Sequence, residues 1–356
     1  MSGPYTSRAE TAVYEPTRTR RRKDDQRRSR DLTPRLRRWG QVAFLALNLW
    51  IGAEFYIWVR YWERGEQGLY VSRPPGVEGW LPIASLMNLK YWLVTGDVPD
   101  HHAAGMFLLV AFLLVAWLAR KAFCSWLCPI GTISEWLWKL GRHLFGRTTR
   151  LPRWVDLGLR PAKYVLLGFF LWVILPMPTA AIRAFLDSPY GLIADVKMLN
   201  FFRFLSPTAA IVLTILIVLS LLVQNFWCRY LCPYGALLGL LAAISPMRIR
   251  RNPVSCIDCG KCSRACPSWI PVDRLLTVRT PECTGCYECV AGCPVRDALG
   301  MEVRRRVVPG WVVGALAWGI FLVLVVVARA GGYWYTELPP EVYRELIPRA
   351  HLFRHP

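Results

Sequence analysis

The sequence predicts an all-α membrane protein of about five transmembrane helices, with one small cysteine-rich cytoplasmic domain inserted before the last of them. Three observations carry that prediction. Of the 356 residues 54% are apolar and 17 are Trp, with a mean hydropathy of +0.28, an excess over ordinary soluble domains. Apolar runs of about the twenty residues that a bilayer requires recur along the chain. The formal net charge of +20 is gathered on alternate sides of those runs, as basic residues are on the cytoplasmic loops of a membrane protein.

Residues 1–38 hold twelve Lys or Arg against five acids, with Arg20, Arg21, Arg22 and Lys23 in a row. So few large apolar side chains cannot bury enough surface to fold. The stretch reads as a disordered basic cytoplasmic tail that fixes orientation, against the alternative of an arm for nucleic acid or anionic lipid. No cleavable signal is expected, because the next apolar run is long and lacks a small-residue cleavage site. The first predicted span covers residues 39–59, interrupted only by Gln41, Asn48 and Glu54. Four more are expected over 103–119, 164–182, 207–227 and 307–328, with Pro176 and Pro178 kinking or ending the third. The tail, residues 120–163 and residues 228–306 hold twelve, nine and twelve Lys or Arg, whereas 61–103, 183–206 and 330–356 hold three each. That alternation predicts an N-terminus inside, a C-terminus outside, and all twelve cysteines on the reducing cytoplasmic face of an inner membrane. The predicted units are the tail (1–38), a four-span membrane domain (39–246), a cysteine-rich domain (247–306), a fifth span (307–329) and a periplasmic tail (330–356).

The cysteine-rich domain repeats the phrase C-x2-C-x2-C-x3-C-P, first as Cys256, Cys259, Cys262, Cys266 and Pro267, then as Cys283, Cys286, Cys289, Cys293 and Pro294. Three thiolates at this spacing wrap one iron-sulfur cubane and the fourth crosses to its neighbour. Cys256, Cys259, Cys262 and Cys293 are therefore the expected ligands of one 4Fe-4S cluster, and Cys283, Cys286, Cys289 and Cys266 those of a second. Paired zinc sites are the weaker alternative, since structural zinc favours separated cysteine pairs without a third cysteine in step. The stretch resembles a bacterial two-cluster ferredoxin module, all eight ligands being in place.

The remaining four cysteines form a second system. Cys124, Cys128 and Pro129 follow the second predicted span, and Cys228, Cys232 and Pro233 follow the fourth, 104 residues later. Each copy is a C-x3-C-P motif behind a span running inward, a duplication that makes the two copies expected to face each other. The cysteines either share one helical face at i and i+4, or the proline opens the next helix. Two thiols make a poor site, but four soft ligands suit an iron-sulfur cluster, zinc or cuprous copper. The bland alternative is that buried cysteine serves as a small apolar residue.

Glu54 lies within the first span, where it either snorkels to the interface or relays protons. His101 and His102 stand at the outer mouth of the second span, where solvated loop histidines are expected, with proton uptake from a quinol as the sharper reading. No histidine lies inside a predicted span, so no haem is expected. No Gly-rich phosphate loop or nucleophile-base arrangement is evident. The basic excess is assigned to membrane topology, and no nucleic-acid partner is expected.

Two C-x3-C-P motifs behind transmembrane helices, followed by two C-x2-C-x2-C-x3-C-P motifs, resemble the membrane polyferredoxins of the NapH, NosR and CcoG type, with a length and plan similar to the YccM branch. The similarity covers roughly residues 39–329. It departs from NosR in having no large N-terminal flavin-binding domain and from CcoG in having no room for a C-terminal sandwich domain. The resemblance implies an electron carrier of the inner membrane, embedded in lipid, linked to quinone or quinol and to a partner redox protein or reductase. A copper-binding or cupric-reductase assembly factor using Cys124, Cys128, Cys228 and Cys232, and a membrane anchor for a soluble reductase, are the rival expectations.

Overall fold

The computed structural model describes residues 31–146, 148–336 and 338–353. In order, the helices are α1 (Thr33–Glu63), α2 (Pro82–Thr95), α3 (Ala103–Leu118), α4 (Ala122–Trp126), α5 (Pro129–Phe145), α6 (Arg153–Leu159), α7 (Ala162–Ile174), α8 (Thr179–Leu186), α9 (Pro189–Leu192), α10 (Ala194–Arg203), α11 (Pro207–Leu222) and α12 (Pro233–Ala243). There follow β1 (Met247–Arg251), α13 (Lys261–Ala265), β2 (Thr277–Val278), α14 (Glu288–Ala291), β3 (Leu299–Val303), β4 (Arg306–Val308), α15 (Gly310–Ala330) and α16 (Pro340–Leu346).

The basic tail expected over residues 1–38 lies outside the described residues as far as residue 30. Its last part is helix, which corrects the predicted boundary. Pro34 stands in the first turn of α1, a place that suits proline, and Arg37 is 2% exposed because it is held by two carboxylates from elsewhere in the chain.

Among the described residues three helical stretches are long and apolar enough to cross a membrane: α1, the stretch Arg153–Ile174 and α15. The pair α10 and α11, bent by 79°, makes a fourth if counted as one span. Large apolar side chains cover their outer sides, with Trp172 74%, Ile211 61% and Val326 62% exposed. Such a belt suits hydrocarbon rather than water. The third predicted span, 164–182, ends early: α7 stops at Ile174 ahead of Pro176 and Pro178, and α8 begins after the prolines.

The second predicted span, 103–119, is short in the sequence and in the structure. Helix α3 has 16 residues, about 24 Å at the helical rise, against roughly 30 Å of hydrocarbon. It is shielded by protein, with Ala104, Ala111, Val115 and Ala116 almost fully buried and α2, α12 and α15 packed around it. Its small residues let the neighbouring backbones approach. Helix α5 reaches α11 backbone to backbone, since a Cβ on Gly141 would fall 1.8 Å from the Leu221 carbonyl oxygen.

The segment after α12 closes a four-stranded antiparallel sheet in the order β2-β1-β3-β4, with Ile249 facing both Val278 and Met301. Arg304 and Arg305 form the β3–β4 turn with φ of 45° and 70°, the left-handed pair that a two-residue hairpin requires.

Candidate metal centres

Both C-x3-C-P motifs take the same local form. Cys124 lies on α4 and Cys128 caps α5, its Sγ accepting from the Gly131 N–H at 3.4 Å. Cys228 lies on a single π-helical turn, Trp227–Leu231, and Cys232 caps α12, its Sγ accepting from the Gly235 N–H at 3.2 Å. Pro129 and Pro233 each open the following helix, so the chain breaks at the second cysteine rather than continuing one helical face. The copies are not equally tight. A Cβ on Gly131 would fall 2.3 Å from the Cys124 carbonyl oxygen, whereas nothing comes within 3.6 Å of one on Gly235.

All four of these cysteines line one cavity of about 710 Å³. Its wall on α1 runs from Arg37 through Phe44, Leu47, Asn48, Trp50 and Ile51 to Glu54, about 26 Å at 1.5 Å per residue. Leu108 and Phe112 of α3 and Phe321 and Val325 of α15 complete the apolar lining. Glu54, left between snorkelling and proton relay by the sequence, is half-buried on this wall beside Pro74 and Pro75. Burial pushes the Cys124 and Cys228 thiols up to about 12, so metal binding there must displace protons.

The ferredoxin-like segment holds two smaller cavities. Cys266, Cys283, Cys286 and Cys289 line one and are buried; Cys256, Cys259, Cys262 and Cys293 line the other and are half-buried. The two meet where α13 packs on α14, close enough for Cys262 to act electrostatically on Cys289. The buried cavity also adjoins the membrane cavity, because Cys286, Thr284, Ser268 and Pro267 line both.

The contacts that set this adjacency come from residues within the first C-x3-C-P motif and just before it. Ser125 Oγ donates to the Thr284 carbonyl at 2.7 Å, Trp126 Nε1 donates to the Gly285 carbonyl at 3.3 Å, and Arg120 Nη2 donates to the Thr280 carbonyl at 2.7 Å. Gly285 has φ of 63° and a Cβ there would lie 3.0 Å from the Ala119 carbonyl oxygen, so the loop needs glycine twice over. From α1, Arg37 donates to Glu135 at 2.7 and 2.8 Å and to Glu288, next to Cys289, at 2.7 Å. Burial alone would raise the Glu135 carboxyl, but the Arg37 guanidinium holds it down at about 2. Lys163 donates to Glu282 at 2.5 Å.

On the opposite side of the molecule, the structure corrects the reading of His102 as a solvated loop residue. It is 1% exposed. Its Nδ1 lies 3.6 Å from Glu78 Oε1 and its Nε2 lies 2.9 Å from the Gly191 carbonyl. Arg73 joins the same Glu78 at 2.9 Å and Asp195 at 2.7 Å, and Thr336 donates to Glu78 at 2.7 Å. His101 is half-buried, 3.6 Å from Asp187. Sequence reasoning missed Glu78, Arg73 and Asp195, whose partners lie up to 258 residues away, and it missed Lys121, whose one signal is its place three residues before Cys124.

The fold and its cysteine-lined cavities define a membrane-associated electron-transport protein of ferredoxin type. A family model described as "4Fe-4S binding domain" matches residues 102–148 and again 205–252, one match on each C-x3-C-P copy, and one described as "4Fe-4S dicluster domain" matches 249–301. The chain belongs to the YccM and NapH family of membrane polyferredoxins. It is 50% identical over 322 residues to the "Putative electron transport protein YccM" of Escherichia coli (strain K12), covering 88% of this chain and 90% of that one. It is 26% identical over 275 residues to the "Ferredoxin-type protein NapH" of Haemophilus influenzae, covering 72% and 85%. It is 30% identical over 193 residues to the "Methylamine utilization ferredoxin-type protein MauN" of Methylorubrum extorquens, covering 53% and 61%. No solved structure matches.

Proposed function

We propose that this protein carries electrons, one at a time, between a membrane quinol and a soluble redox partner. Its centres are a pair of 4Fe-4S clusters in residues 247–306 and a further centre at Cys124, Cys128, Cys228 and Cys232. The observation that carries this reading is the adjacency of three cysteine quartets: the membrane quartet shares a wall at Cys286 with the buried quartet, and the buried quartet meets the half-buried one across Cys289 and Cys262.

The donor sets fit such groups. Each quartet lines one cavity, and four thiolates suit an iron-sulfur core. Clusters bound there supply one-electron storage. In this reading Cys256, Cys259, Cys262 and Cys293 hold the outer cluster, and Cys266, Cys283, Cys286 and Cys289 hold the inner one. The hydrogen bonds from Ser125, Trp126 and Arg120 keep the inner loop against the membrane site. The soluble partner docks at the half-buried quartet, where the cysteines come nearest to water.

The cavity volume lies within the roughly 300–1,000 Å³ of small-molecule sites, and its long apolar shape suits a quinol ring with a lipid tail. Asn48 and Glu54 join Arg37 as the polar groups on that wall, and Glu54 is the proton acceptor in this reading. The chain crosses an inner membrane five times, N-terminus and cysteines cytoplasmic and C-terminus periplasmic. Helix α3 crosses despite its length because protein rather than lipid surrounds it. The copper-handling alternative is not favoured, since both C-x3-C-P copies match a 4Fe-4S model.

Anaerobic purification with iron and sulfide counting tests the proposal. About twelve irons per chain are expected with three cubanes, against about eight with two. Cys124→Ala, Cys228→Ala and the double variant should each lose the same third centre, because half a site holds nothing. Cys266→Ala should remove the electron paramagnetic resonance (EPR) signal of the inner cluster first. A wild-type protein with eight irons and bound copper would overturn the third cluster.

A further inference from the structure

We propose that Lys121 balances the charge of the group held by Cys124, Cys128, Cys228 and Cys232 and thereby raises that centre's reduction potential. The inference rests on the reading that those four cysteines share one redox centre.

Lys121 stands at the turn between α3 and α4, is 4% exposed, and lines the same cavity as the four cysteines. The groups that act on it come from each side of that cavity: Cys124 on its own segment, Cys228 and Cys232 from the second motif, and Glu282 from the ferredoxin loop. Helix α12 closes the remaining side, with the Lys121 ammonium 3.9 Å from where Gly239 would carry a Cβ. The neighbouring cations have carboxylates of their own. Lys163 pairs with Glu282 at 2.5 Å, Arg229 with Asp156 at 2.9 Å, and Arg37 with Glu135 and Glu288 at 2.7 Å. Among the described residues no carboxylate lies within the 4.0 Å ion-pair distance of Lys121, and Glu282, the carboxylate that acts on it, is shared with Lys163.

A buried ammonium is costly to a fold unless an anion compensates it. Four thiolates around an iron-sulfur core make a group that is net anionic and becomes one charge more negative on reduction. A fixed cation beside it therefore stabilises the reduced form more than the oxidised one. Unit charges within about 12 Å, at an effective dielectric constant of about 20, shift such an equilibrium about tenfold or more. Tenfold for one electron is 59 mV.

Potentiometric titration followed by EPR, on the full chain in detergent under anaerobic conditions, tests this with Lys121→Met and Lys121→Arg. The Met variant should lower the reduction equilibrium of the membrane centre at least about tenfold, 59 mV or more to the negative. The two ferredoxin centres should keep their midpoints, and the Arg variant should keep that of the membrane centre. Loss of the centre in the Met variant with retention in the Arg variant also supports the charge-balancing role. An unmoved midpoint in the Met variant, or equal loss of the centre in both variants, overturns the proposal. A wild-type protein without any centre at the four cysteines overturns instead the reading on which it rests.

Discussion

Replacing Arg37 with Met tests the junction between the first transmembrane helix and the cluster-bearing segment. The guanidinium donates to Glu135 twice, to Glu288 once and to the Ser125 carbonyl at 3.2 Å. Its side chain is 2% exposed and that of Glu135 is 11% exposed. Methionine keeps most of the volume, so the loss is chiefly electrostatic. Breaking a buried pair from one side costs about 3–5 kcal/mol. The lower end applies here, because Gln41 and Lys139 still contact Glu135. At about 2 °C per kcal/mol for a large chain, a loss of about 3 kcal/mol lowers the melting temperature by about 6 °C, read by tryptophan fluorescence in detergent. The pH dependence fixes the cause. With Arg37 present, Glu135 titrates at about 2, a depressed carboxylate whose stability is present above its ordinary value and is lost as pH falls through 2. Without the guanidinium the buried carboxylate is stranded, and protonation relieves it. The gap between wild type and Arg37→Met should therefore narrow from pH 7 toward pH 4, and Glu135→Gln should recover part of the loss in the Met background. A melting temperature within about 1 °C of wild type, or a gap that widens as pH falls, would refute the argument.

Three further outcomes follow from the geometry. Gly131→Ala forces a Cβ to 2.3 Å from the Cys124 carbonyl oxygen while Gly235→Ala meets nothing nearer than 3.6 Å. The first should cost about 2 kcal/mol or more and iron content, and the second less than about 1 kcal/mol; equal effects in iron assay and melting would contradict the packing. Burial works against the His102 imidazolium, but Glu78 prevails and raises its pKa. Its stabilisation is complete below the ordinary histidine value and is lost as pH rises through the higher folded one, so the melting-temperature advantage of wild type over His102→Gln should shrink from pH 6 to pH 9. A constant difference would mean that His102 stays neutral throughout. For topology, a reporter active only in the cytoplasm should work when fused after Phe145 and fail after Leu352; activity at both positions would rule out an odd number of crossings.

The buried anchors are of one kind. Arg37, Arg120, Ser125 and Trp126 each belong to a membrane-side helix or its end, and each bonds to the segment that carries Cys283, Cys286 and Cys289 or to Glu288 beside it. In the proposed relay, transfer between adjoining sites depends on their separation staying fixed, and these contacts would supply that rigidity. The Trp126 ring also couples α4 to α15, since it fills the space above Gly314, where a Cβ would come within 2.4 Å.

What depends on period, composition and short spacing was legible in the chain before any packing was known. The cysteine phrases, the proline after each fourth or second cysteine, the apolar runs of α1 and α15 and the one-sided distribution of Lys and Arg are local properties. Local chemistry writes them into the chain: a cap, a missing N–H, a transfer free energy per residue. The proline that opens α5 and α12 was legible for that reason, as was the end of α7 before Pro176. That the short α3 is wrapped in protein came from packing, because burial depends on what surrounds a helix and not on its own hydropathy. Only packing gave Arg37 its two carboxylates, one of them 251 residues away, buried His102 against Glu78, and placed Lys121 in the cavity of the four cysteines. Those pairings join distant segments, and charge neutralisation in a dry interior selects them after the helices are in place, so no local pattern announces them.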